Sequence, residues 1–157
     1  MIPLDSAMKL SEIFSNYYAT RKELVELTSR LTEDQLQWKP AHHPSSIQSL
    51  LIHITIAESW WIEGVTVNNF NYTDYERFKN VAHKETIFEN LEYTFKKFSS
   101  FLDAHTIEEW DKVFYNHSEE EKVSMRWLVW HVVEHQLRHR GQILMLMSMQ
   151  GIKFKDV

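Results

Sequence analysis

The chain contains no cysteine. That absence removes disulfides, thiolate zinc sites and a thiol nucleophile, and it fits a reducing compartment. Glycine and proline number three each in 157 residues. So few breakers argue for long helices and against an all-β fold. Long apolar runs are missing as well. No stretch approaches the ~18 to 20 apolar residues of a membrane span. The first residues, MIPLDSAMKLSEIFSNYY, carry Asp5 and Glu12 and do not read as a signal peptide. A cytoplasmic protein with no membrane partner is the expectation. Basic charge is also short: 17 Lys and Arg stand against 22 Asp and Glu, a formal charge of −5. That sign disfavours nucleic-acid binding, which rests on neutralising phosphates. Lysines do recur locally at Lys96, Lys97, Lys153 and Lys155.

What is present is a core. Hydrophobic residues make up 43% and aromatics 13%, with six tryptophans. The length fits a single domain over 1–157. There is no internal repeat, low-complexity segment or linker. Four long helical patterns predict an all-α four-helix bundle with short extra helical turns in the connections. The first runs from about Asp5 to Leu31, with Leu10, Ile13, Phe14, Tyr17, Leu24 and Leu31 on one face. TEDQ has capping-box spacing from Thr32 to Gln35. The second helix starts near Ser45 or Ser46, with Gln48 three residues after Ser45, and runs to about Gly64. Residues 68–83 are polar, with a helical turn at TDYERFKN. The third helix is KETIFENLEYTFKKFSSFLDA. Thr106 and Glu109 repeat the capping-box spacing, and YNHSEEEKV reads as a charged connection. The fourth helix runs from about Ser124 to Gln150, with Gly151 as its C′ residue.

The fourth helix carries HVVEHQLRHRGQ, three histidines each four residues apart. With Met125 at zero and about 100° per residue, His131, His135 and His139 fall near ~240°, ~280° and ~320°. Gln142, near ~260°, and the apolar Leu128 and Leu146, near ~300°, share that sector. The strongest polar direction lies elsewhere, at Glu134 and Arg138. Two His four apart can aim ring nitrogens at one ion, whereas a third is a turn too far. A third ligand must come from another helix. His53, at the edge of the apolar stripe of the second helix, offers one. Facing helices of bundles build metal sites in this way. Three neutral imidazoles leave the ion's charge intact and a position open, the mark of a catalytic-type site. A buried His in an apolar stretch is more often a hydrogen-bonded core residue. A polar core without an ion is therefore the competing reading. His42, His43, His83, His105 and His117 lie in loops or at helix ends and read as solvated. HQLRH has the spacing of a metalloprotease motif, but Gln136 stands where the general-base Glu would be. A protease of that kind is disfavoured. Gly141, mid-helix, suggests close approach of a neighbouring helix. Trp60, Trp61, Trp127 and Trp130 could line a pocket or an interface, with core packing expected for most.

Two segments are familiar as a set. LQWKPAHHPSSIQSLLIHITIAESWW and HVVEHQLRHRGQI resemble blocks of the DinB/YfiT-like family of metal-dependent four-helix-bundle proteins, and the likeness covers most of the chain. The resemblance implies His53, His135 and His139 as metal ligands. His131 is then a neighbour that supports them, lines the cleft or accepts a proton. The resemblance also implies a divalent metal cofactor, with Zn first and Ni or Fe as alternatives, since imidazole suits several such ions. It implies a homodimer and a small-molecule substrate. Some relatives are taken to act with a low-molecular-weight thiol. The functional expectation is a metal-dependent transferase using such a thiol. The alternatives are a metal-dependent hydrolase and a non-enzymatic metal- or small-ligand-binding module.

Overall fold

The computed structural model describes residues 7–67, 72–81, 83–115 and 121–153. The chain begins with α1, Leu10–Ile13, and α2, Ser15–Thr28. A continuous helix over 5–31 was expected. Instead the helix breaks at Phe14, whose backbone leaves helical space at φ −101° and ψ 32°. The break has a packing cause. Phe14 is buried and meets Trp110 at 5.9 Å and Trp130 edge-on at 5.5 Å. Residues 5 and 6 of the expected helix lie outside the described part.

Helix α3, Glu33–Gln37, is closed by the expected capping box of Thr32 and Gln35. Helix α4, Ile47–Ser59, is capped by Ser46 paired with Ser49, not by Ser45 with Gln48. It continues into a π-helical segment, Trp60–Val65. Helix α5, Tyr72–Lys79, realises the turn expected at TDYERFKN. Helix α6 is Lys84–Ala104 and helix α7 is Met125–Met149. Thr106 and Glu109 box a 3-10 turn over Ile107–Glu109. Between that turn and α7 lies a feature the sequence reading missed. Strands β1, Val113–Tyr115, and β2, Lys122–Ser124, form a small antiparallel hairpin. The expected charged connection covers part of it, and residues 116–120 lie outside the described part. Gly151, at φ 72°, ends α7 as predicted, and the Ile152 N–H reaches back 3.0 Å to the Met147 carbonyl.

Helices α2, α4, α6 and α7 form the bundle. Two apolar clusters fill it. One gathers Leu10, Phe14, Tyr17, Phe98, Leu102 and Leu128; the other gathers Leu24, Leu51, Ile54, Leu91, Ile143 and Leu146. A buried polar layer lies between them. Arg21 of α2 makes an ion pair with Glu58 of α4. Its Nε donates to Gln136 Oε1 of α7 at 2.6 Å, and Nη1 donates to the Leu91 carbonyl of α6 at 3.1 Å. Tyr17 Oη donates to Glu58 Oε1 at 2.6 Å, and Thr94 Oγ1 donates to Glu58 Oε2 at 2.7 Å. Gln136 Nε2 closes the set on the Tyr17 carbonyl at 3.3 Å. Burial is the largest single influence on Arg21 and opposes its charge, but Glu58, Tyr17 and Glu92 together outweigh it and hold the guanidinium above its ordinary pKa. Each polar atom named here has a partner, as burial demands.

Arg140 forms a second tie between α7 and α2, forking onto both oxygens of Glu23 at 2.6 Å. Gly141 does not serve as foreseen. A Cβ built on it meets nothing within 4 Å, so no helix among the described residues approaches it closely.

Removing one partner of a buried pair strands the other, a loss of about 3 to 5 kcal/mol. Glu58→Leu is expected to destabilise the fold by that order. Arg21→Met combined with Glu58→Leu is expected to recover most of it. Urea unfolding of the two variants measures both.

Candidate metal centre

The polar layer fixes the level at which α4 and α7 face one another. Gln136 points into the core, and its neighbour His135 therefore points about 100° away, toward the side of the bundle. Across from it stands His53, five residues before Glu58 on α4. His135 Nε2 lies 3.1 Å from His53 Nε2 and 3.1 Å from His139 Nε2. Among the described residues, these three form the group of His, Cys, Asp or Glu side chains able to hold an ion, with ligand atoms within 4.8 Å of one another. The three residues expected as ligands are thus brought together.

The chemistry of the donor set fits a divalent ion. Zn–N bonds of about 2.0 to 2.1 Å in a tetrahedral site put neighbouring nitrogens about 3.3 Å apart. Two of the nitrogen spacings, 3.1 Å each, fall close to that value. His139 Nδ1 lies 2.6 Å from Gln142 Oε1, which accepts its proton and leaves Nε2 as the free lone pair. Such a partner orients a ligand and raises its basicity. Burial, then the charges of His139, His53 and His131, push His135 down to about 3. His53 is lowered by burial and by His139; His139 is lowered mainly by burial. All three are neutral at pH 7, the form that binds metal.

His131 stands apart from the triad. Its ring stacks on Trp127 at 4.6 Å, meets Trp61 edge-on at 5.0 Å and lies 5.8 Å from the His135 ring. It is a wall of the site and not part of the ligand group. The π-helical segment explains one side of this wall. A widened turn lags behind α-helical phase, and Trp61 comes to face α7, where it also meets Trp127 at 5.1 Å. A shallow cleft of about 250 Å³ opens here, lined by Trp127, Trp130, His131 and Glu134.

Other expectations shift. Trp127 and Trp130 are 46% and 55% exposed, so they are not core residues. Trp60 and Trp61 are partly buried against the core. His105 is not simply solvated: its Nδ1 pairs with the Phe101 carbonyl at 2.8 Å, and its ring lies 4.3 Å from that of Phe101. His43 is also engaged, with Nδ1 2.8 Å from the Ser45 carbonyl. His42 and His83 are exposed, and His117 lies outside the described residues. Glu134 pairs with Arg138 on the outer surface, away from the triad, as its direction predicted.

The depressed histidines make the metal-free fold sensitive to acid. The unfolded chain takes up protons near pH 6.5, whereas the folded cluster refuses them until lower pH. Stability is therefore full above about pH 6.5 and is lost as pH falls toward the lowered values. Denaturant midpoints of metal-free protein between pH 7.5 and 4.5 are expected to fall, and less steeply in His135→Gln. Gln142→Leu frees the His139 ring and is expected to weaken Zn²⁺ binding by about 10- to 100-fold in a calorimetric titration.

A sequence model of the DinB superfamily matches residues 16–143. A crystal structure of a DinB-like protein from Bacillus cereus has the same fold, with a TM-score of 0.72 and 18% identity. The alignment covers 96% of this chain and 99% of that one. No curated protein matches the sequence. Among the described residues no helix is long and apolar enough to cross a membrane. With the match spanning the bundle from α2 to α7 and both helices that carry the histidines, the chain belongs to the DinB superfamily.

Proposed function

We propose that the protein is a metal-dependent enzyme that uses an open three-histidine centre to act on a small molecule together with a low-molecular-weight thiol. The observation that carries this reading is the convergence of three neutral imidazoles at the side of the bundle. Three uncharged ligands leave a divalent ion its full charge, and such an ion supplies Lewis acidity that favours the anionic form of a molecule at its open position. The chain has no cysteine, so a sulfur nucleophile must come from outside. The aromatic wall of Trp61, Trp127 and His131 supplies an apolar side against which an electrophile can be oriented and water excluded. His53, His135 and His139 hold the ion, and Gln142 holds His139. Zinc is the first candidate.

Hydrolysis is the second reading, and His131 favours it. Burial lowers its pKa, so it is neutral at pH 7 and able to accept a proton beside the centre. Added thiol separates the two. Zn²⁺-loaded protein is incubated with a small thiol and an aryl halide or epoxide. The expected product is a thioether, with halide released or the epoxide ring opened, formed above the uncatalysed rate only with metal and thiol, and that excess is lost in His135→Ala. Turnover of ester or amide substrates without thiol moves the assignment to a hydrolase. Stoichiometric metal with no turnover of either kind leaves a metal-binding module.

A further inference from the structure

The π-helical segment, Trp60–Val65, is tied down by groups that neither the core nor the triad uses. Its bonds reach back five residues: the Thr66 N–H donates to the Trp61 carbonyl at 3.3 Å. Such turns are rare and occur frequently at functional sites. Measured from His53 at about 100° per residue, an unbroken α-helix would aim Trp61 near ~80° and Glu63 near ~280°. Glu58, near ~140°, marks the core direction, so Trp61 would lean inward and Glu63 would point away from the bundle. The widened turn makes both lag. Trp61 swings back toward the direction of His53 and so toward α7. Glu63 swings back toward α6, where Glu58 already meets Thr94.

On α6 both oxygens of Glu63 find a use. Tyr93 Oη donates to Glu63 Oε1 at 2.8 Å, and Lys97 Nζ lies 3.5 Å from the same oxygen. Lys97 Nζ also lies 5.3 Å from the centre of the Tyr93 ring. Ser59 Oγ, one turn back on the same helix, donates to Glu63 Oε2 at 3.0 Å. The seam between α4 and α7 meanwhile has two stations. At the first, the His53 ring lies 4.8 Å from those of His135 and His139. Eight residues on, Trp61 stands in the same relation to Trp127 and His131, at 5.1 and 5.0 Å. His131 joins the stations, 5.8 Å from the His135 ring. The partners of Glu63 named here lie on α4 and α6, so it acts on the second station through Trp61.

We propose that Glu63 is a positioning residue: its tie to Tyr93 and Lys97 keeps the turn wide and holds Trp61 against Trp127 and His131, where the rings select an electrophile that carries a flat aryl group. For an aryl halide, the thiol sulfur bonds the ring carbon, the halide leaves as its anion, and the thiol proton goes to solvent. Trp127 and His131 are stacked at 10° and Trp61 meets them edge-on, so the station offers both edge and face to a further ring. The selection rests on the proposed function; the placement of Trp61 does not.

Circular dichroism of the metal-free chain tests the placement. Two indoles 5.1 Å apart give an exciton couplet, assigned by its loss in Trp61→Phe. Glu63→Leu is expected to remove most of this couplet with helix content unchanged. Glu63→Gln still accepts from Ser59 and Tyr93 and is expected to keep it. Should Glu63→Leu not fold, Tyr93→Phe with Lys97→Met removes the same tie from the α6 side, with the same expected loss. Glu23→Leu breaks the Arg140 tie elsewhere and is expected to keep the couplet. In Zn²⁺-loaded protein with a small thiol, Glu63→Leu is expected to raise KM for an aryl halide about three- to tenfold. KM for a small aliphatic epoxide, kcat and Zn²⁺ affinity are expected to stay as they are. A wild-type couplet indifferent to Trp61→Phe overturns the proposal. So does one that survives loss of the tie, or that falls equally in Glu23→Leu. An equal rise in KM for both electrophiles overturns the selection of aryl groups. A couplet that behaves as expected in a chain with no thiol transfer sinks the proposed function alone.

Discussion

The buried pair of Arg21 and Glu58 is the constraint on which the rest of the bundle depends. It joins all four long helices at one level through Gln136, Thr94, Tyr17 and the Leu91 carbonyl. Apolar side chains tolerate a slipped register between helices; a shared carboxylate and guanidinium do not. The two apolar clusters supply most of the burial. The polar layer fixes how α4 and α7 are set against one another. His53 lies about a turn and a half before Glu58, and His135 lies beside Gln136. The histidine triad is thus held at its height by groups that never touch it.

The same geometry explains why the candidate site lies at the side of the bundle and not on its axis. Core directions on α7 are taken by Val132, Gln136 and Ile143. The histidines occupy the neighbouring sector, half-buried, where an ion can keep a position open to solvent. Burial keeps the rings neutral, and Gln142 holds one of them in the tautomer that frees Nε2. The π-helical segment adds Trp61 to the rim. Beyond the histidines lie the exposed Trp127 and Trp130, so one helix serves core, site and surface on three adjoining faces.

Much of this was legible in the sequence. The four-residue spacing of His135 and His139 and the apolar setting of His53 pointed to one sector and to one partner helix. The helix ends at Thr32 and Gly151 followed from local chemistry alone. The polar layer was not read, although a signal existed: Arg21 sits four residues after Tyr17 and three before Leu24, inside the buried stripe of its own helix. Gln136 drew notice only as a failed catalytic base, while its real partners lie on α2. The break at Phe14 depends on Trp110 and Trp130, remote in sequence, and local periodicity cannot report it. Hairpin strands of three residues each are too short to show a period. The outer tryptophans were assigned to the core because composition counts apolar residues without saying which face they take. Gly141 was read for a close approach that no helix among the described residues makes.

The most direct measurement is an anomalous difference map from crystals grown with Zn²⁺, recorded on both sides of the zinc edge. The account predicts one peak per chain, bounded by Nε2 of His53, His135 and His139, with Gln142 still on His139 and the remaining coordination filled by no protein atom. No peak at the triad, or a peak closed by a fourth protein ligand, would contradict an open three-histidine centre.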